Sequence, residues 1–252
     1  MITEARWRDL TSAIPEAVAT AAMNDALPDT GSPAPWLIEG TGFFFSARAS
    51  RSDRDLLPPA LARRARPLLR LGFGVRYSHT PVGTYNELGG AIVYARPDGV
   101  FGHIPFLPVD SAATMRGGRE NWALPKVLAT FTGDPVASSS FTAAGDGWSV
   151  SAQIGDTGRQ RALSVPRIFG SSFAKKIPTP TISGIEQVDA TGARGITGAE
   201  NVADMRLTVA TTRIRVSTQG SDELRRLFPD GTYRGGTIGY RGVTLGKPRL
   251  RR

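Results

Sequence analysis

From Trp36 to Leu245 the chain repeats one pattern, short runs of aromatic and branched residues broken at close intervals by Gly, Pro, Asp or Ser. Many of these runs alternate apolar with polar residues. Side chains on a strand point to opposite faces in turn, so a period of two specifies β-strands and rules out a helical bundle. The runs predict strands over 36–47, 70–78, 85–95, 100–107, 126–132, 139–143, 147–154, 160–167, 204–217 and 237–245. Within Leu207 to Val216 the alternation changes phase, from Leu207 and Val209 to Thr212, Ile214 and Val216, which predicts a bulge or bend. So many short strands with few helices predict a mainly β fold, an antiparallel barrel or double sheet with a few peripheral helices.

Helical signals are confined to three places. Residues 4 to 26 carry Trp7, Leu10, Ile14 and Val18 at helix-like intervals, with Pro15 expected to kink or divide the segment. Asp53 to Arg66 reads as a helix interrupted by Pro58 and Pro59. Ser221 to Phe228 places Asp222 and Glu223 in its first turn and Arg225 and Arg226 in its last, matching the helix dipole. The expected organisation is an N-terminal helical extension over 1–30 and a single β domain over 31–252, a length that one β domain can reach.

The chain has no cysteine, which removes disulfides, thiolate catalysis and Cys-based metal sites. The segment Met1 to Arg6 lacks the pattern of a secretory signal, and runs such as Gly42 to Phe45 are too short to span a membrane. A cytoplasmic location with no membrane partner is the expectation. No phosphate-cradling loop, nucleophile elbow or zinc-protease motif occurs. Gly72-Phe73-Gly74 lacks the third glycine of a dinucleotide fingerprint. His79 and His103 do not have metal-ligand spacing, and His103 reads as a residue that satisfies a local hydrogen bond.

The net charge of +9 suits an anionic partner, but the arginines are scattered, and only Lys247 to Arg252 forms a basic cluster, read as a loose tail. The expectation is a solvated basic surface with no nucleic-acid partner. Of the 31 basic residues, 27 are arginine; the lysines are Lys126, Lys175, Lys176 and Lys247. Lys175 and Lys176 read as an exposed pair in a loop. Lys126 lies between Ala123-Leu124-Pro125 and Val127-Leu128-Ala129, an apolar frame. Unlike arginine, lysine can usefully lose its proton, so this placement is compatible with an amine nucleophile. It is equally compatible with a stem packed on the core and a head reaching solvent.

Two stretches resemble the acetoacetate decarboxylase family. One is Gly83-Thr84-Tyr85-Asn86-Glu87, of the form Gly-x-Tyr-x-Glu; the other is Gly118-Arg119-Glu120 leading to Pro125-Lys126, with a similar separation between Glu87 and Lys126. The resemblance extends more weakly from about Trp36 to Leu245. It implies the family's β fold and a lysine, Lys126, that forms a Schiff base with a small keto acid. A free lysine has a pKa of about 10.4, so the chemistry requires an apolar site that penalises the ammonium. An amine activated by its site in acetoacetate decarboxylase is a standing example of this effect.

By the same resemblance Glu87 is the general acid/base, and Tyr85 on the same strand face orients or protonates. Trp122 reads equally as a wall of the pocket or as core packing. Arg119 and Glu120 pair with each other or with backbone beside the lysine loop. The resemblance implies a homo-oligomer and no cofactor or metal. Three places depart from the family pattern: Val127 replaces a second lysine, Gly72 stands near a second glutamate, and Glu39 stands near an arginine of the substrate-carboxylate clamp. Three functions therefore stand side by side. The first is decarboxylation of a β-keto acid; the second is an aldolase, dehydratase or cyclase acting on an α-keto acid or secondary-metabolite intermediate; the third is a non-catalytic anion-binding module.

Overall fold

The protein, a computed structural model, is described here over residues 7–164, 182–200 and 206–251. Its strands are β1 (Trp36–Arg48), β2 (Arg66–His79), β3 (Tyr85–Arg96), β4 (Gly99–Val109), β5 (Lys126–Leu128), β6 (Thr130–Gly133), β7 (Ser140–Gly145) and β8 (Trp148–Ile154). They continue with β9 (Arg161–Ser164), β10 (Ile182–Val188), β11 (Arg194–Thr197), β12 (Ala199–Glu200), β13 (Arg206–Gln219), β14 (Gly231–Leu245) and β15 (Arg249–Arg251). Short helices among the described residues are α1 (Ala21–Asp25), α2 (Pro59–Ala62), α3 (Ala112–Trp122) and α4 (Asp222–Leu227).

All these strands join one sheet in the order β15-β11-β10-β4-β3-β2-β1-β14-β13-β8-β7-β6, with β12, β5 and β9 pairing off this path. The mainly β reading holds. The expected antiparallel barrel or double sheet is instead a mixed sheet, since β10 and β5 both run parallel to β4, and its path ends at β15 and β6 without closing. Each parallel partner needs a crossover, and α3 supplies the one between β4 and β5.

Two buried clusters sit on opposite sides of the central strands. Phe106 belongs to one with Phe43, Phe45, Phe141, Trp148 and Ile214; its neighbour Leu107 belongs to the other with Trp36, Tyr77, Tyr85, Met115 and Trp122. Adjacent residues of a strand face opposite ways, so the clusters occupy the two faces. With both faces covered, β3 and β4 are almost continuously buried, a pattern that alternation alone does not describe.

Several local expectations need correction. The phase change in β13 is not a bulge, since Arg206 to Val216 pair with Arg241 to Gly231 without a register shift. Its lower end is half-buried at consecutive residues Leu207 to Val209, and strict burial of alternate residues begins only at Ala210. The stretch 53–66 is a 3-10 turn (Arg51–Leu56) followed by α2 and the start of β2, because two prolines prevent a continuous helix. The basic tail is not loose: β15 pairs with β11. Residues 15–17 form a 3-10 turn opening on Pro15, and α1 follows, capped by the Thr20 side chain accepting from Met23 N–H at 3.2 Å. Lys175 and Lys176 lie outside the described residues.

Candidate active site

Lys126 is delivered by a helix-turn-strand unit. α3 ends at Ala123, a left-handed cap with φ 53, where the Ala123 and Leu124 N–H groups donate to the carbonyls of Arg119 and Gly118 at 3.0 and 3.2 Å. Pro125 cannot continue the helix, and Lys126 N–H donates back to the Leu124 carbonyl at 2.7 Å. β5 then begins at Lys126, opposite Leu107 of β4. The lysine stem runs across Gly118: a Cβ there would lie 2.6 Å from Lys126 Cδ and 2.7 Å from Cε.

Glu87 comes from β3, between Val75 of β2 and Val109 of β4. Tyr85 lies two residues earlier, so the strand presents both on one face. Lys126 and Glu87 are 3% and 4% exposed, and Lys126 Nζ stands 2.8 Å from Glu87 Oε2. Nζ also donates to Thr114 Oγ1 at 2.8 Å and to the Tyr85 hydroxyl at 3.5 Å, and it lies 4.9 Å from the Tyr85 ring centroid. The other carboxylate oxygen, Oε1, accepts from the Tyr77 hydroxyl at 3.0 Å. The snorkelling alternative for Lys126 is thereby excluded.

A buried ion pair keeps a large desolvation cost unless further hydrogen bonds satisfy both partners. Thr114 and Tyr77 supply those bonds. A proton passing from Nζ to Oε2 along the 2.8 Å contact leaves an amine and a carboxylic acid with no net change of charge. Tyr77 and Tyr85 stack with centroids 4.5 Å apart, and Tyr240 meets Tyr77 edge-on at 6.2 Å. Burial, and after it the nearby Glu87 carboxylate, hold the Tyr77 and Tyr85 hydroxyls well above the usual phenol range. Burial does the same for Tyr240. All three stay protonated near neutrality and can donate.

Of the residues singled out in the sequence, Lys126, Glu87 and Tyr85 thus meet in one buried cluster. The other three do not join it. Arg119, fully buried, donates to the carbonyls of Lys126, Trp7 and Arg8 at 2.7, 3.1 and 2.8 Å. Burial pulls its guanidinium down to about 10, which leaves it charged at neutral pH. Glu120 does not pair with Arg119; it meets Arg116, one turn earlier, at 3.4 Å. Trp122 packs edge-on against Trp36 at 5.0 Å and donates to the Gly246 carbonyl at 2.8 Å, tying α3 to β1 and the segment after β14.

Thr114, Tyr77 and Tyr240 were not foreseen. Tyr77 was accessible in principle, since a hairpin between β2 and β3 puts it directly opposite Tyr85. Thr114 required the helix α3, and Tyr240 required the long-range pairing of β14 with β1 at Gly40.

The departures from the family pattern also have places. Val127 faces the opposite cluster from Tyr85 and is fully buried. Gly72 leaves room for the Phe45 ring, which closes over it. Glu39 is half-buried beside a register irregularity, opposite His79. His103 is buried with its Nδ1–H donating to the Glu186 carbonyl at 3.1 Å, and burial lowers its pKa to about 4. Among the described residues no cluster of three His, Cys, Asp or Glu side chains is placed to hold a metal ion, and no helix is long and apolar enough to cross a membrane.

Solved structures with the same fold include an acetoacetate decarboxylase from Legionella pneumophila, 15% identical with a TM-score of 0.60 over 93% of this chain and 96% of that one. An acetoacetate decarboxylase-like enzyme from Sphingomonas wittichii is 12% identical with a TM-score of 0.61, covering 88% and 94% of the two chains. The enduracididine biosynthesis enzyme MppR, solved in complex with pyruvate, is 14% identical with a TM-score of 0.59, covering 87% and 91%. A comparison with curated protein sequences gives no match. The family model for acetoacetate decarboxylase matches residues 20–160, more than half of the sequence and the whole span from β1 through Glu87 to Lys126, and the chain therefore belongs to the acetoacetate decarboxylase family.

Proposed function

We propose that this protein is a Schiff-base enzyme acting on a small keto acid, with Lys126 as nucleophile and Glu87 as its general acid/base. The observation that carries the reading is the buried 2.8 Å contact between Nζ and Oε2, closed by Thr114, Tyr85 and Tyr77. Glu87 takes the ammonium proton and the free amine adds to the substrate ketone. Glu87 then returns a proton to the carbinolamine oxygen, which leaves as water and gives the iminium. From a β-keto acid, the electrons of the bond to the carboxylate flow into the iminium as carbon dioxide departs. The resulting enamine is protonated at carbon, and hydrolysis frees the ketone and Lys126.

A second outcome uses the same iminium. Glu39 stands near the place where the resemblance expects the clamp arginine, and Arg119 commits its three nitrogens to backbone carbonyls, which weakens the case for a held β-keto carboxylate. The enamine of an α-keto acid such as pyruvate, formed by loss of a proton from its methyl carbon, adds instead to an aldehyde. The pyruvate complex of MppR supports a small α-keto acid as the substrate class.

Borohydride reduction in the presence of acetoacetate or pyruvate tests the shared step. The adduct is expected on the peptide containing Lys126 and absent from Lys126→Ala; an adduct on Lys175 or Lys176 refutes the assignment. Carbon dioxide release from acetoacetate, against condensation of pyruvate with an aldehyde, separates the two outcomes. Salt-sensitive anion binding with no trapping at any lysine would favour a non-catalytic module.

A further inference from the structure

The N-terminal segment is threaded into the body of the fold. Trp7, Leu10, Ile14 and Ala17 are buried, Glu16 accepts from the Ser221 N–H and hydroxyl at 2.6 and 2.8 Å, and the Arg116 guanidinium lies 5.1 Å from the Trp7 ring centroid. At its far end are the Trp7 and Arg8 carbonyls, both held by Arg119. The same guanidinium also donates to the carbonyl of Lys126 itself, at 2.7 Å. One planar, fully buried fork thus bridges residues 7 and 8 to the nucleophile's own peptide group.

We propose that Arg119 is a positioning residue that fixes the Lys126 backbone against the N-terminal segment, making residues 7 and 8 part of the working active site. The proposal rests on the Schiff-base reading for its effect on rate, and on geometry alone for the latch. Lys126 N–H is already held by Leu124, so the Arg119 contact fixes the other side of the residue. The stem from Cα to Nζ is about 6 Å long, and a backbone rotation of about 10° would move the amine by about 1 Å, a displacement that costs about a hundredfold in rate. Gly118, Thr114 and Glu87 define the channel that the stem must enter, so the amine meets its partners only if the backbone starts from the right orientation. A rigid fork with several donors does this; a lysine, with a single charged point, does it less well.

The test uses the full chain with Arg119→Ala and Arg119→Lys. Hydrogen exchange by mass spectrometry is read on peptides covering residues 7–14 and 123–128, and borohydride trapping of pyruvate and acetoacetate is timed across pH. Arg119→Ala is expected to raise exchange in both peptides together and to slow trapping about a hundredfold with little change in keto-acid affinity. Guanidinium ion at millimolar concentration should restore at least a tenth of the lost rate, and urea, its uncharged analogue, should not. Arg119→Lys should fold and fall about tenfold. Unchanged exchange over residues 123–128, a parental trapping rate, or equal rescue by urea overturns the proposal. If Arg119→Ala does not fold, Arg119→Lys carries the same exchange comparison. A parent protein that traps neither keto acid removes the Schiff-base reading, while the exchange result still decides the latch.

Discussion

Gly118→Ala separates helix stability from the position of the amine. In the interior of α3, alanine is preferred over glycine by about 1 kcal/mol, so propensity alone predicts a more stable protein. The new Cβ would lie 2.6 Å from Lys126 Cδ and 2.7 Å from Cε. Ordinary contact begins near 3.4 Å, and the stem must therefore move by about 0.8 Å. A free lysine would swing aside at little cost. Here the head is pinned by Thr114 and Glu87 and the backbone by Arg119 and Leu124, so the shift falls on Nζ and its contact with Oε2. The overlap offsets part or all of the propensity gain, leaving the unfolding free energy within about 1 kcal/mol of the parent. A displacement approaching 1 Å at the reacting atom lowers the rate about a hundredfold. The assay is the rate of borohydride trapping beside a urea-unfolding curve. Gly117→Ala is the control, since its Cβ runs into the Trp36 ring in the apolar cluster and should destabilise by about 1–3 kcal/mol. A Gly118→Ala protein that traps keto acid at the parental rate refutes the account of a channelled lysine.

Glu87→Gln keeps the shape of the side chain but cannot take a proton from Nζ, and trapping should slow by about 10²–10⁴. An unaltered rate and pH profile would remove Glu87 from the chemistry. His103 gives a stability prediction. Its folded pKa of about 4 lies below the ordinary 6.5, so between those values the unfolded chain binds the extra proton and stability falls as pH drops. The loss from this group approaches about 3 kcal/mol by pH 4. His103→Gln should lack that component in denaturant unfolding at pH 6.5 and pH 4, and the same pH dependence in both proteins would contradict the assignment.

How much of this was legible in the sequence depended on the range of the interactions. Strands that alternate, such as β8, were read nearly to their ends because burial on one face writes itself into every second residue. The strands β10 and β11 were missed: β10 buries the polar residues Glu186 and Gln187, which hides any apolar alternation, and beyond their mutual pairing the two are placed by partners far along the chain, β4 and β15. The helix carrying Thr114 and Arg119 was missed for a different reason. Gly117 and Gly118 lower the local helix propensity, yet the fold needs them there, one to admit Trp36 and the other to admit the lysine stem.

The site shows the same division. Tyr85, Glu87 and Lys126 were recognisable as residue types at family spacing, but their neighbours were not. Tyr77 depends on hairpin register, Tyr240 on a strand more than 150 residues away, and the role of Arg119 on carbonyls 111 and 112 residues earlier. Backbone acceptors leave no trace in side-chain composition, so no motif could announce that contact. Glycine is the exception that links the two scales. A glycine pair beside a candidate nucleophile, inside a segment otherwise able to form a helix, is a local sign of a long-range demand for space. In this chain that demand comes from Trp36 on one side and from the catalytic candidate on the other.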